Sequence, residues 1–328
     1  MSQILDVRTL VSIVNYCTAE HVCNLLPRLI EQIDIDCDRI IIVDNMSPDD
    51  SFAKIKSFVS ESQYDQYVLV VLAERNGGFS YGNNLAIKEA KDKFMNSPEY
   101  VWLLNPDTSL LDDALTNLLN FAEEHSRAGI IGSRLEDEAG RPQRSSFRFH
   151  SLKSELLSGL RLGITDKLFH RYLVSSKDIP SQPEVVDWLA GASMFIRYSI
   201  IDDIGLMDEN YFLYYEETDY CLQAQRSGWQ CWYVPSSRVI HYVGQSTGIV
   251  SGDSLRRRRP KYWFQSRQYY FLKNYGFFYT ILADLSWGVM FTIHKVLDMI
   301  RLRFKNDTKY LWLDFWRNSI FFSWLDRL

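Results

Sequence analysis

Five short apolar runs alternate with helix-like stretches through the first 131 residues, and this alternation limits the fold more than any other feature. The runs occupy residues 10–14, 40–43, 68–72, 101–104 and 129–131. Stretches with helical spacing lie between them at 20–33, 49–59, 80–93 and 111–124. A βαβα order predicts an α/β fold: a Rossmann-like, mostly parallel central sheet with helices on both faces. Such sheets bind ligands outside the carboxyl ends of their strands, so candidate functional residues are sought there. Pro48-Asp49-Asp50 and Leu111-Asp112-Asp113 are read as acidic first turns of helices, complementing the helix dipole.

Residues 133–183 are less regular and rich in Arg and Ser, and read as a mobile loop. The chain of 328 residues divides by charge. Residues 255–328 hold 14 Lys and Arg against 5 Asp and no Glu, so a tail of +9 follows a body of −14. The expected division is an α/β domain over residues 1–250 and a basic, aromatic helical tail over 251–328. Such a tail points to an anionic partner, either a membrane surface or a nucleic acid. Residues 277–300 are too interrupted for a membrane span, since Asp284 near their centre would cost about 2.5–3.5 kcal/mol in a bilayer. At helical spacing, Leu282, Leu285, Val289, Ile293, Val296 and Ile300 fall on one face. Thr280, Asp284, Lys295, Asp298 and Arg301 fall on the other. With Arg256–Arg259 upstream and Trp312, Phe315, Trp316, Phe321, Phe322 and Trp324 downstream, this reads as a helix lying in a headgroup layer. The alternative is packing against the catalytic domain or a second subunit. Five cysteines with no CxxC spacing exclude a disulfide framework or a zinc site and fit a reducing cytoplasm. Residues 1–8 lack a signal-peptide core.

The motifs exclude some chemistry and suggest other chemistry. The first βα turn, Asn15-Tyr16-Cys17-Thr18, has no glycine, and no GxxxxGK[ST] occurs, so dinucleotide and P-loop chemistry are both disfavoured. Asp44 ends the second run, where its carboxylate can accept a hydrogen bond from a base N–H; alternatively Asp44 or Ser47 caps the next helix. Asn76-Gly77-Gly78-Phe79 and Gly82-Asn83 open a helix, an arrangement that lets backbone amides meet phosphate, though a bare turn has the same sequence. Asp107, in Asn105-Pro106-Asp107, can hold a divalent cation against a diphosphate, or can cap the helix that follows. Glu216-Glu217-Thr218-Asp219 supplies separate carboxylates for proton transfer, or simply an acidic helix start.

In this order, these motifs resemble those of family 2 glycosyltransferases of the GT-A fold. Further matches are Asp187-Trp188-Leu189-Ala190-Gly191-Ala192, Phe212 to Tyr220, and His241-Tyr242-Val243-Gly244. The resemblance spans roughly residues 8–275 and is nearest to the rhamnosyltransferase-like branch that builds bacterial surface polysaccharides such as O-antigen. It implies that Asp44 recognises a pyrimidine, while Asn15, Tyr16, Asn76, Gly78, Gly82, Asn83 and Asn105 surround the nucleotide. Asp107 would hold Mg²⁺ or Mn²⁺, with His241 as a distal ligand, although a lone histidine is more often structural. Trp188 and Gly191 would shape the sugar and acceptor pocket. Glu217 occupies the position of the general base, with Glu216 and Asp219 as rivals. Two departures stand out: many relatives carry Asp at the base position, and the first Asp of the family's Asp-x-Asp is here Asn105. The implied reaction is an inverting transfer of a sugar, with rhamnose the candidate, from a dTDP- or UDP-sugar to a polyprenyl-diphosphate-linked glycan. The enzyme would be peripheral on the inner face of the bacterial cytoplasmic membrane, with a homodimer as a candidate assembly, and nucleic acid is not an implied partner. Rival readings are a nucleotidyltransferase that makes a nucleotide sugar, and a non-catalytic sugar-nucleotide-binding membrane protein.

Overall fold

The structure, a computed structural model, describes residues 6–175, 178–242, 258–300 and 308–322. Val243, Gly244, Arg256, Arg257, Arg301 and Trp324 of the sequence reading lie outside the described residues. In chain order the elements begin β1 (Thr9–Asn15), α1 (Ala19–Ile30), β2 (Asp38–Asp44), α2 (Ser51–Glu61), β3 (Val68–Leu72) and α3 (Gly78–Lys93). They continue β4 (Tyr100–Leu104), β5 (Thr108–Leu110), α4 (Ala114–Glu124), β6 (Ala128–Glu136), β7 (Ser146–Phe147), α5 (Leu152–Leu160) and α6 (Gly163–Leu168). Next come β8 (Glu184–Val186), β9 (Trp188–Leu189), β10 (Ser193–Arg197), α7 (Tyr198–Ile204), α8 (Glu216–Arg226) and β11 (Gln230–His241). The last three are α9 (Lys261–Tyr275), α10 (Phe277–Ile300) and α11 (Leu311–Arg317).

The chain divides into two units. Unit 1 comprises Met1–Ser146, Ile179–Phe212 and Glu216–Ile249; unit 2 comprises Phe147–Asp178, Leu213–Tyr215 and Val250–Leu328. The sheet of unit 1 runs β3-β2-β1-β4-β10-β6-β11-β5, with β8 beside β11. Strands β3, β2, β1 and β4 are parallel. β10 then enters antiparallel between β4 and β6, so the second half of the sheet is mixed. Strand alternation sorts the core. Val11 and Ile13 of β1, Ile40 and Ile42 of β2, and Trp102 and Leu104 of β4 share one buried cluster with Val22, Leu25 and Leu29 of α1, Ile55 of α2 and Leu118 of α4. Each such side chain contributes about 1.5–3 kcal/mol on burial. The opposite face of β1 meets α3, where Ser12 Oγ donates to Asn83 Oδ1 at 2.7 Å. Helices therefore cover both faces of β1.

The two expected acidic first turns are absent. Asp49 and Asp50 precede α2, and Asp112 and Asp113 precede α4, so neither helix has an acid in its first turn. The reason at α4 is the short strand β5, which pairs with β11 and pushes the helix start to Ala114. Asp113 is spent on the turn, with φ 61°.

Unit 2 contains helices where an irregular loop was expected. A capping box starts α5: Ser151 Oγ accepts from Ser154 N, and Ser154 Oγ accepts from Ser151 N at 2.8 Å. Gly159 lets α5 press onto α10, since a methyl there would lie 2.6 Å from the Trp287 carbonyl oxygen. Helix α10 has the expected extent, and it buries Ala283, Trp287 and Phe291 together with polar residues. Thr280, Asp284 and His294 are buried, while Leu282, Leu285, Val289, Ile293, Val296 and Ile300 are exposed by 39–70%. Asp284 tolerates burial because Arg267 of α9 donates to it and also to Glu155 of α5 at 2.6 Å. The Ile320 amide donates to its other oxygen at 2.8 Å. Among the described residues, no helix is long and apolar enough to cross a membrane.

Candidate active site

The carboxyl edge of the parallel strands gathers most of the residues singled out by sequence. Asn15 and Asp44 end β1 and β2 in direct register. Asp44 is fully buried and accepts three hydrogen bonds: Asn15 Nδ2 at 2.6 Å, Ser47 N at 2.8 Å and Ser47 Oγ at 2.8 Å. A carboxylate offers about four lone-pair sites, so room remains for one further donor. The helix-capping alternative for Asp44 and Ser47 does not apply, because α2 begins only at Ser51. Instead both tie the two strand ends together, with Ser47 Oγ also accepting from Cys17 N at 2.9 Å. Cys17 and Met46 adopt left-handed φ of 56° and 57° in these turns. Tyr16, beside them, is 42% exposed.

The glycine turn before α3 lies next to this edge. Asn45 Nδ2 donates to the Gly78 carbonyl at 2.8 Å, and Asn76 Oδ1 accepts from Gly78 N at 3.2 Å. Gly78 has φ +83°, and a Cβ there would sit 1.7 Å from the Phe212 carbonyl oxygen. Only glycine fits, and the Phe79 amide then reaches that same oxygen at 3.2 Å. Gly82 lies against Val14 of β1. Asn83 bridges Ser12 and the Phe79 carbonyl, the latter at 3.0 Å.

The turn after β4 forms the other side. Asn105 N donates to the Ala192 carbonyl at 3.0 Å. Asp107 is 1% exposed, and its Oδ1 lies 3.5 Å from His241 Nε2. Pairing of β5 with β11 produces this approach by setting His241 opposite Thr108. A buried carboxylate facing an imidazole suits one side of a divalent-cation site. Among the described residues no cluster of three or more His, Cys, Asp or Glu could form a full protein cage. The pair therefore fits a cation whose remaining ligands come from a diphosphate and water, the usual arrangement for Mg²⁺.

The acidic first turn of α8 faces in two directions. Glu216 and Asp219, three residues apart, share one side of the helix and are buried; Asp219 accepts from Gln223. Glu217 points elsewhere. The backbone N–H groups of Glu217 and Gly191 act on its carboxylate, and its Oε2 is enclosed without a hydrogen-bond partner among the described residues. Burial pushes its pKa up against the effect of those donors. Gly191 in turn abuts Phe79, since a Cβ on it would lie 3.1 Å from that ring. A single series of contacts thus joins Asp44, Asn45, Gly78, Phe79, Gly191 and Glu217. Trp188 is on β9, three residues before Gly191.

The sequence model for glycosyl transferase family 2 matches residues 11–177, just over half the chain, and that for glycosyl transferase family group 2 matches residues 100–325. The chain belongs to glycosyl transferase family 2. This family 2 enzyme is similar to the rhamnosyltransferase WbbL of Escherichia coli, with 27% identity covering 62% of this chain and 77% of WbbL. It is also similar to the N-acetylglucosaminyl-diphospho-decaprenol L-rhamnosyltransferase of Mycobacterium tuberculosis, with 29% identity covering 46% of this chain and 49% of that one. The alignment thus spans about half the length of the mycobacterial relative. Solved structures with the same fold include the Pyrobaculum calidifontis mannosyltransferase PcManGT in complex with GDP-Man and Mn²⁺. It has a TM-score of 0.55 and 12% identity, covering 90% of this chain and 75% of that one. A Staphylococcus aureus TarS structure has a TM-score of 0.50 and 14% identity, covering 95% and 81%.

Two features of this glycosyltransferase's site escaped the sequence reading. Asn45 ties the β2 turn to Gly78, a role its side chain alone does not announce. The Phe212 carbonyl anchors the α3 turn across more than a hundred residues. Only the glycine pair at 77–78 could have pointed to one of the two.

Proposed function

We propose that this enzyme transfers a hexosyl group, with inversion, from a dTDP- or UDP-sugar to a hydroxyl of a polyprenyl-diphosphate-linked glycan in surface polysaccharide synthesis. Rhamnose is the favoured sugar, because both similar enzymes named above are rhamnosyltransferases. The observation that carries the reading is the series of contacts from Asp44 to Glu217, beside the Asp107–His241 pair.

Asp44 has one acceptor site left for a ring N–H of the base, held in place by Asn15 and Ser47. The N-terminus of α3, opened by Gly78, offers the positive end of its dipole to the diphosphate, while the Gly78 and Phe79 amides are already held by Asn76 and the Phe212 carbonyl. Asn76, Gly82, Asn83 and Asn105 line the same edge. Asp107 and His241 would hold Mg²⁺ or Mn²⁺. That ion, when bound, supplies positive charge to the departing diphosphate. Glu217 acts as base, accepting the proton of the acceptor hydroxyl as its oxygen attacks the anomeric carbon and the bond to the diphosphate breaks. For this the hydroxyl must come within about 2.6–3.2 Å of the carboxylate or be linked by one water. Glu216 and Asp219, buried in the same helix turn, are the rival carboxylates for this role. Trp188 and Gly191 bound the sugar and acceptor space.

In this reading the acceptor's lipid anchor and the nucleotide-sugar donor would meet at the cytoplasmic face of a membrane. The exposed apolar stripe of α10 and the +9 charge of residues 255–328 favour docking on an anionic surface. A second copy on that stripe would bring two +9 segments together, which disfavours a dimer there. A thermal-shift panel of UDP, dTDP and GDP, with and without Mn²⁺, tests the donor assignment. The expected result is stabilisation by UDP or dTDP that grows with Mn²⁺ in the wild type and not in Asp107→Asn. Equal shifts for all three nucleotides, indifferent to metal, would reject it.

A further inference from the structure

Unit 2 contains a groove of about 1000 Å³, walled by the start of α9, the residues before it, and α11. Its apolar walls include Phe264, Trp312 and Trp316; Arg259, Lys261 and Arg317 supply positive charge. One more arginine there is already neutralised: Arg258 donates to both oxygens of Asp314, with Nε at 2.7 Å. Arg259 differs. It is partly buried, and among the described residues no carboxylate pairs with it; its guanidinium lies 4.1 Å from the Trp263 ring centroid. Burial, with Arg161 nearby, lowers its pKa, the mark of a charge held without an adequate counter-ion. A partly buried cation left in this state is costly, and an incoming anion would offset the cost.

The walls specify what kind of anion fits. A small free ion needs no cavity this large, lined with Trp and Phe. An amphiphile uses both features: a phosphate on the guanidinium and an apolar chain along the rings. Trp312, one of the walls, donates to Thr292 Oγ1 of α10 at 2.8 Å. Val289 and Ile293, next to Thr292 on that helix, are 43% and 40% exposed. The groove therefore adjoins the exposed apolar stripe, and a chain leaving it meets more apolar surface. Arginine suits the head, because its planar fork matches phosphate geometry.

We propose that this groove is a binding site for the phosphate headgroup of a lipid, with Arg259 as its central contact and Trp312 and Trp316 against the chain. The proposal deepens the membrane part of the function above by naming a discrete lipid site in place of general surface attraction. The probe is therefore a monomeric short-chain lipid. If the protein fails to sediment with vesicles, membrane docking is lost and this result is judged separately.

The test is calorimetric titration of the full chain with dihexanoyl phosphatidylglycerol below its micelle concentration, alongside dihexanoyl phosphatidylcholine and inorganic phosphate. Saturable binding of the phosphatidylglycerol is expected, weakened about tenfold in Arg259→Met, the loss of one charge-assisted contact. Lys309→Gln removes an exposed charge outside the groove and should leave affinity unchanged. Inorganic phosphate binding as well as the lipid would overturn the lipid assignment. Equal affinity in Arg259→Met and wild type, or no lipid binding at all, would overturn the site. If Arg259→Met does not fold, hydrogen exchange on the wild type decides. Lipid-dependent protection at residues 258–264 and 311–318 supports the groove; protection only elsewhere rejects it.

Discussion

Replacing Glu217 by Gln is expected to cut turnover about a thousandfold, within the range lost with a general base, while donor affinity stays near wild type. Gln preserves the shape and an oxygen facing the same surroundings but cannot take a proton. The wild-type pH profile should show an acid limb, since only the ionised carboxylate is a base. Because burial raises the Glu217 pKa, that limb should fall above the ordinary carboxylate range. Stability should respond in the opposite sense to activity. The fold binds this proton more tightly than the unfolded chain does, so stability declines as pH rises from the ordinary Glu range through the raised pKa. Above that window the fold bears the full cost of a buried charge, which Gln removes. Glu217→Gln should therefore melt no lower than wild type at neutral pH, and higher if the cost is large. Steady-state kinetics and a melting curve on the same preparation check both halves. Near-normal turnover would shift the role to another carboxylate.

Replacing Arg267 by Met is expected to destabilise unit 2 by about 3–5 kcal/mol, the usual cost of breaking a buried ion pair. Arg267 is 3% exposed and lies between Glu155 and Asp284, both also buried. Without it, two carboxylates face one another away from water. The pKa of Glu155 fits the same picture. Burial alone would raise it, yet Arg267 and His150 outweigh burial and hold it below its usual value. Its contribution is present above the unfolded-state pKa and is lost as pH falls through the lower folded value. In Arg267→Met this acid sensitivity should reverse, with stability recovering as the orphaned acids protonate. Removing all three charges together, as Arg267→Met with Glu155→Gln and Asp284→Asn, should restore much of the loss. Denaturant unfolding at two pH values measures each case. A loss under about 1 kcal/mol in the single variant would show that water reaches the triad and screens it.

The first half of the fold was legible because its signals are local. Apolar runs of four or five residues, spaced by helical stretches, are enough to mark β1 to β4 and α1 to α4. Asp44 and Asp107 were legible for the same reason, as carboxylates just past such runs. β10 was not: it inserts antiparallel between β4 and β6, a pairing between residues far apart in the chain. The packing of α10 was legible only in part. Helical periodicity grouped Leu282, Leu285, Val289, Ile293, Val296 and Ile300 on one face, and these are exposed, but it did not show that Asp284 is buried beside Ala283, Trp287 and Phe291 while Lys295 is exposed. Asp284 is inward because Arg267, on another helix, meets it, and periodicity within α10 carries no trace of that partner. α5 was missed because its capping box, Ser151 with Ser154, uses Ser at the third position where Glu or Gln is the familiar signal. At the site, the influence of the Gly191 amide on Glu217 joins residues far apart in the chain, so the sequence alone left Glu217 beside Glu216 and Asp219.

The most direct test follows one reaction mixture by phosphorus and proton NMR: the enzyme, Mn²⁺, a dTDP- or UDP-hexose and a polyprenyl-diphosphate-linked glycan. The prediction is release of the nucleoside diphosphate in step with a glycan one sugar longer, its new linkage of opposite anomeric configuration to the donor. A product that retains the donor's configuration would contradict displacement assisted by Glu217.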